Sequence, residues 1–210
     1  MNDSASVRQH QFAGGDVQRT LLVLAAWFFL AVWLGVTGKL LTTGGLPIGI
    51  GAAIVLPLVA FAVDGRLGHP LFGGLMRLDL AALIGAQVFR VVGVLFLVAW
   101  SAGVLPGGFA LPAGIGDVAV GLTAPFVATV VARRRSRSMM LAWLWAILGT
   151  TDLIAAVTLG VLHGGPPLGL FSGPITTSAV AHYPLSLIPT FGVPLALLFH
   201  VRTFQILARP

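Results

Sequence analysis

Three charges stand inside long apolar runs of this chain: Arg90 in "LIGAQVFRVVGVLFLVAW", Asp117 in "LPAGIGDVAVGLTAPF" and Asp152 in "AILGTTDLIAAV". A guanidinium and two carboxylates in such surroundings can pair with one another, hold a cation or polar solute, or pass a proton. One arginine cannot neutralise two carboxylates, so the set keeps a negative charge that calls for a proton, a cation or a polar partner. Gln87 stands one turn before Arg90 on the same face, and Thr150 and Thr151 abut Asp152 as hydrogen-bond donors.

Depth along the runs brings the three charges together. At about 1.5 Å per residue, Arg90 lies ~15 Å beyond the start of its run at Leu80. Asp117 lies ~12 Å past Phe109 on a run of opposite direction, hence ~18 Å from the same boundary of a layer ~30 Å thick. Asp152 lies ~20 Å past Met139. Arg90 is therefore the expected partner of Asp117. Gly114, Gly116 and Gly121 give the Asp117 helix a small-residue face that lets a neighbour pack closely.

Histidine offers a second chemistry. His182 and His200 are eighteen residues apart, five turns of a regular helix, with His163 near the first and His69 near the second. Two such pairs are what two b-type haems would need as axial ligands. Haem is thus the alternative to no cofactor at all, and an electron carrier using His69, His163, His182 and His200 is the alternative function. Ser178 and His182, four residues apart, lack a nucleophile elbow or a carboxylate to form a triad. Two intramembrane aspartates without a glutamate are too few for a magnesium-dependent lipid-phosphate enzyme, and closely spaced zinc ligands are missing. A catalytic site is therefore not assigned.

The elements that must position these residues follow from composition. The chain has 210 residues, 57% of them hydrophobic and only 9% charged, and a mean hydropathy of +0.99. A soluble domain carries about 25% charged residues, so lipid must solvate much of this surface. A spanning helix needs about 20 mostly apolar residues, and six segments qualify: 20–38, 46–63, 80–105, 109–132, 139–162 and 179–203. In the last, Pro184, Pro189 and Pro194 predict a repeatedly kinked or broken helix.

Arg8, Arg19, Arg66, Arg77, Arg209 and the run "RRRSR" (133–137) lie between or beyond these spans, and Arg202 at the end of the last, all on one side, with Lys39 opposite. The positive-inside rule then puts both termini in the cytoplasm. The net charge of +6 has no basic stripe with interleaved aromatics, so nucleic acid is excluded as a partner. The absence of cysteine removes disulfides and thiolate metal sites. Residues 1–19 are polar, lack a signal-peptide core and read as a disordered cytoplasmic tail ahead of a single transmembrane domain, 20–210. The partners expected are the lipid bilayer and a second copy of the chain.

"LPIGIGAAIVLPLVAF" (46–61) and "LPAGIGDVAVGLTAPF" (111–126) match at LP, GIG and the final Phe, as parallel repeats of a two-helix unit would. Ala52 stands where the second copy has Asp117. The stretch "QVFRVVGVLFLVAWSAGVLPGGFALPAGIGD" (87–117) resembles small bacterial polytopic membrane proteins that share an arginine followed by "LP..FA" and "AGxGD". That resemblance covers spans three and four; it implies a bacterial cytoplasmic membrane and no activity.

The expectation is an all-α integral membrane bundle of six transmembrane helices, N-in and C-in, in the plasma membrane. Its expected function is small-solute or ion/proton-coupled transport through a midplane cluster of Arg90, Asp117, Asp152 and Gln87. A non-catalytic scaffold stapled by Arg90 and Asp117 is the further alternative.

Overall fold

The computed structural model describes residues 3–40 and 47–209, with side chains from Gly15 onward. All regular structure in them is helical, and six segments are long and apolar enough to cross a membrane: Gly15–Val36, Ile48–Arg66, Leu80–Ser101, Gly107–Ala132, Ser138–Leu162 and Ile188–Leu207. This is a multi-pass, all-α membrane protein. Helix α1 (Asp3–Val36) carries the first span, and its backbone already belongs to the helix within the 1–19 segment. The expected start of span two, residue 46, lies outside the described residues.

Burial is inverted relative to a soluble bundle. Leu22, Phe29, Leu56, Leu122 and Leu148 face outward, while Gln87, Arg90, Asp117 and His200 are buried. Acyl chains cost an outward leucine nothing, whereas a buried polar group must find partners inside the protein.

Helix α2 (Ile48–Arg66) and the short α3 (Gly73–Met76) lead to a third span in three pieces: α4 (Leu80–Ala86), a 3-10 segment (Gln87–Gly93) and α5 (Val94–Ser101). Asp79 starts it, its carboxylate accepting a hydrogen bond from the Ala82 amide at 2.7 Å. Helix α6 (Gly107–Ala132) is central, packed between this broken span and α7 (Ser138–Leu162). A π-helical turn (Ile188–Gly192) and α8 (Val193–Leu207) close the bundle against α2, α4 and α7, and α1 lies outside against α3 and the π turn.

Span six begins later than expected, at Ile188 and not at 179; Thr177–Ala181 is a separate 3-10 turn. Proline explains the break. Pro194 has no N–H to return to the Thr190 carbonyl one turn back, and the Trp27 indole supplies that hydrogen bond at 3.0 Å. Trp27 is thus an internal strut between α1 and the π turn, its ring edge-on to Phe191 at 4.9 Å.

The end rich in arginine is tied together by Asp64, a residue expected in the 64–79 loop. It sits in the last turn of α2, 2% exposed. Its carboxylate accepts hydrogen bonds from the Leu71 and Phe72 amides at 2.8 and 3.0 Å. Around it, Thr20 donates to the Leu71 carbonyl and accepts from the Gly74 amide. Arg77 pairs with Asp16 at 2.5 Å, and Arg202 donates to the Met76 carbonyl at 2.9 Å.

Candidate functional site

Between two apolar layers of the core lies a charged one. On one side Phe96, Phe109, Ala113 and Leu153 pack together; on the other Ile84, Val120, Ala124 and Trp145 do. Arg90, Asp117 and Asp152 occupy the boundary, each on a different span.

The 3-10 segment explains how Arg90 reaches both acids. With three residues per turn, positions i and i+3 eclipse, so Gln87, Arg90 and Gly93 stack along one edge. All three are buried. Gly93 lets the edge touch α6, because a Cβ there would collide with the Asp117 side chain. The same segment lies against Gly121, whose Cβ would sit 2.7 Å from the Val91 amide nitrogen, so the backbones are in contact. Gly116 does the equivalent for α7: a Cβ there would occupy the place of the Asp152 carboxylate.

Arg90, 2% exposed, uses all three of its nitrogens. Nε donates to Asp117 Oδ1 at 2.7 Å and Nη2 to Asp152 Oδ2 at 2.5 Å. Nη1 donates to the Gly149 carbonyl at 3.1 Å and lies 3.5 Å from His200 Nε2. These are charge-assisted bonds in a place that water reaches poorly, the condition in which such pairs are strongest and in which removing one partner is most costly. Asp117 is almost as enclosed as Arg90, its side chain 6% exposed, whereas that of Asp152 is 17% exposed. Thr150 donates back to the Ala146 carbonyl of its own helix and takes no part.

His200 is the member of the cluster that sequence reasoning missed. It is buried, its ring 5.6 Å from that of Trp145. For Nε2 to accept from the guanidinium, the ring proton must be on Nδ1, and Nδ1 has no partner among the described residues. Gln87 Oε1 and Nε2 and Thr203 Oγ1 are likewise buried without partners. Gln87 is one turn from Arg90 and Thr203 nearly one turn from His200. On their antiparallel helices both steps lead toward the arginine-rich end, so a ladder of unpartnered polar atoms descends from the charges in that direction.

On the opposite side of the charges is an apolar cavity of about 300 Å³. Residues of α2, α6, α7, the 3-10 turn at Thr177–Ala181 and the π turn line it. Among the described residues Asp117 is its one ionisable lining residue, and Thr176, Thr177 and Ser178 bear its hydroxyls.

The four histidines considered as haem ligands occupy four different settings. His182 is exposed in the connection before the π turn, so it does not share a regular helix with His200. His163 places Nδ1 3.0 Å from the Leu159 carbonyl and its ring 5.6 Å from that of Phe171. His69 approaches Asp64 at 3.4 Å, outside hydrogen-bond geometry, and His200 faces Arg90. Ser178, considered with His182, is instead bonded to Thr176. Among the described residues no group of three or more His, Asp or Glu side chains is arranged to hold a metal ion.

A family model described as Domain of unknown function (DUF8737) matches residues 47–208, three quarters of the chain, and includes all the residues of the cluster. The chain belongs to the DUF8737 family. The match begins just ahead of α2 and covers spans two to six; α1, packed outside against α3 and the π turn, lies ahead of it. No curated protein and no solved structure matches the chain significantly.

Proposed function

We propose that this DUF8737 protein is an ion- or proton-coupled transporter of a small solute, with Arg90, Asp117 and Asp152 as its coupling site. The carrying observation is the stoichiometry of the cluster: one guanidinium bonded to two carboxylates in the middle of the bundle. With both acids ionised the site bears one excess negative charge, which a proton or a monovalent cation balances. A proton on Asp152 releases its hold on Nη2 and leaves Asp117 alone on Nε. The 3-10 segment is the part of span three that then shifts, since such segments inside longer helices commonly serve as hinges.

The surroundings support passage and not only pairing. One side of the cluster has the cavity, the other the Gln87–His200–Thr203 ladder, whose unpartnered atoms are the kind that buried water serves. The charge distribution supports the orientation. Arg19, Arg66, Arg77, the 133–137 run, Arg202 and Arg209 lie at one end and Lys39 at the other, which supports a cytoplasmic arginine-rich end. The cavity then faces outward, the ladder inward, and residues 1–19 form a cytoplasmic tail ahead of a single membrane domain in the plasma membrane.

The test is proton movement in proteoliposomes. Purified protein is reconstituted with pyranine inside, and a panel of small amines, acids, sugars and alkali cations is added under an imposed pH gradient. At least one solute is expected to change internal pH faster than in protein-free vesicles, with the rate at least tenfold lower in Asp152→Asn. A folded protein that moves no protons with any of them, or whose Asp117→Asn and Asp152→Asn variants move them equally well, refutes the proposal. The cluster is then the scaffold's staple, and Arg90 with both acids can be replaced by uncharged residues without loss of function.

A further inference from the structure

The cavity beside Asp117 and the charge count of the cluster together specify a ligand. Resting on the transport reading above, we propose that the cavity binds a small lipophilic ammonium ion, its nitrogen at Asp117 and its hydrocarbon body between Phe96, Phe109, Ile188 and Val193.

Charge complementarity selects this occupant. Among the described residues the lining has one ionisable group and it is a carboxylate. The charged or titratable groups that face it from the packed elements are Arg90 on the 3-10 segment, bonded to it, and, through Arg90, Asp152 on α7 and His200 on α8. Their sum is one negative charge when the histidine ring is neutral. An anion entering here would meet an uncompensated carboxylate, and a neutral solute would leave the excess unbalanced. Asp117 Oδ1 is taken by Arg90, whereas its Oδ2 receives no hydrogen bond among the described residues. The free oxygen can accept from an ammonium without Arg90 letting go.

Shape and polarity set the rest. A volume of about 300 Å³ is at the lower end for ligand pockets, about 300–1,000 Å³, so the occupant is small. The walls are aliphatic and aromatic, with the Phe96 and Phe109 rings edge-to-face at 5.1 Å. The hydroxyl-bearing residues Thr176, Thr177 and Ser178 belong to the loop side of the cavity, and the Thr177 hydroxyl is already engaged with the Gly160 carbonyl. An alkyl or aryl amine fits such a lining; a sugar or amino acid would find too few partners for its hydroxyls or carboxylate. One excess charge is balanced either by one ammonium or by one proton, so the two compete, and outward-facing exchange of one for the other is antiport.

The experiment compares 2-phenylethylamine with 2-phenylethanol and phenylacetate, which share its ring and differ in the polar head. Binding to the full-length protein in detergent is followed by ligand-observed NMR, at two pH values. The amine is expected to bind at least tenfold tighter than the alcohol, phenylacetate not at all, and the amine to weaken as pH falls. Asp117→Asn is expected to reduce the amine to the level of the alcohol, and Ala156→Phe, which fills the cavity, to remove both. Equal binding of amine and alcohol, tighter binding of phenylacetate, or no binding of any because a lipid chain keeps the cavity filled, overturns the assignment. The comparison within the wild type needs no variant to fold. If the amine fails while another solute still drives Asp152-dependent proton movement, the ligand class is wrong and the transport reading stands; if proton movement is missing with every solute, the transport reading falls with it.

Discussion

Replacing Gly116 by alanine should destabilise the protein, although alanine is the better helix former. A Cβ on Gly116 would lie 2.5 Å from the Asp152 carboxyl carbon and closer still to Oδ1. Carbon and oxygen cannot share that space, and Gly116 is held by the middle of α6, so the Asp152 side chain must swing away. The 2.5 Å bond from Arg90 Nη2 is then lost, while Nε keeps Asp117 at 2.7 Å. A hydrogen bond between charged groups contributes about 1.5–3 kcal/mol; the displaced carboxylate, already 17% exposed, regains part of that from solvent. Alanine's higher helix propensity returns up to about 1 kcal/mol, which leaves a net loss of about 0.5–1.5 kcal/mol.

Gly51 in α2 is the control. Among the described residues nothing lies within 4 Å of a Cβ built there, so Gly51→Ala keeps the propensity gain, about 0.5–1 kcal/mol of stabilisation. The two substitutions are chemically identical and should move stability in opposite directions. Unfolding in mixed micelles with increasing dodecyl sulfate, followed by tryptophan fluorescence, measures both. Equal midpoints for the two variants would mean that Asp152 is not held against Gly116, and the triad geometry would be wrong.

Asp64→Asn should cost about 2–3 kcal/mol, because asparagine presents an NH₂ to one of the two amides, Leu71 or Phe72, that the carboxylate now accepts from. The 67–79 segment should loosen with it, read as faster tryptic cleavage at Arg77. Gln87→Leu removes two buried polar atoms that no described residue partners and keeps the volume, so the unfolding free energy should rise, by up to about 1–2 kcal/mol. The same change should slow solute-driven proton movement, since the ladder loses its first rung; a variant that gains stability and keeps full flux would show that the ladder carries nothing.

Span existence was legible in the sequence because twenty apolar residues leave a chain few alternatives in lipid, and five of the six expected spans overlap the helices closely. The sixth differs because three prolines and a tertiary hydrogen bond set its start: Trp27 satisfies the Thr190 carbonyl that Pro194 strands, so the ordered helix begins at Ile188. That the three charges fall at one level of the bundle was also legible, being an arithmetic of rise per residue. Their contacts were not. Whether Arg90 meets one acid or two depends on the 3-10 winding of Gln87–Gly93 and on how closely Gly93, Gly116 and Gly121 admit the neighbouring helices, and helix spacing is a property of pairs of helices. Hydropathy read Asp64 as a loop residue because charge next to an apolar run looks like an end; only the fold of the hairpin back over α2 buries it. His200 was read by periodicity along a helix that does not extend to His182, and its place beside Arg90 comes from α8 packing on α7. Composition and period thus determined that the chain has six segments fit to span a membrane, and that its three buried charges share one level along them. The tertiary structure decided which charges meet, because that depends on rotation and approach about axes that no single segment encodes.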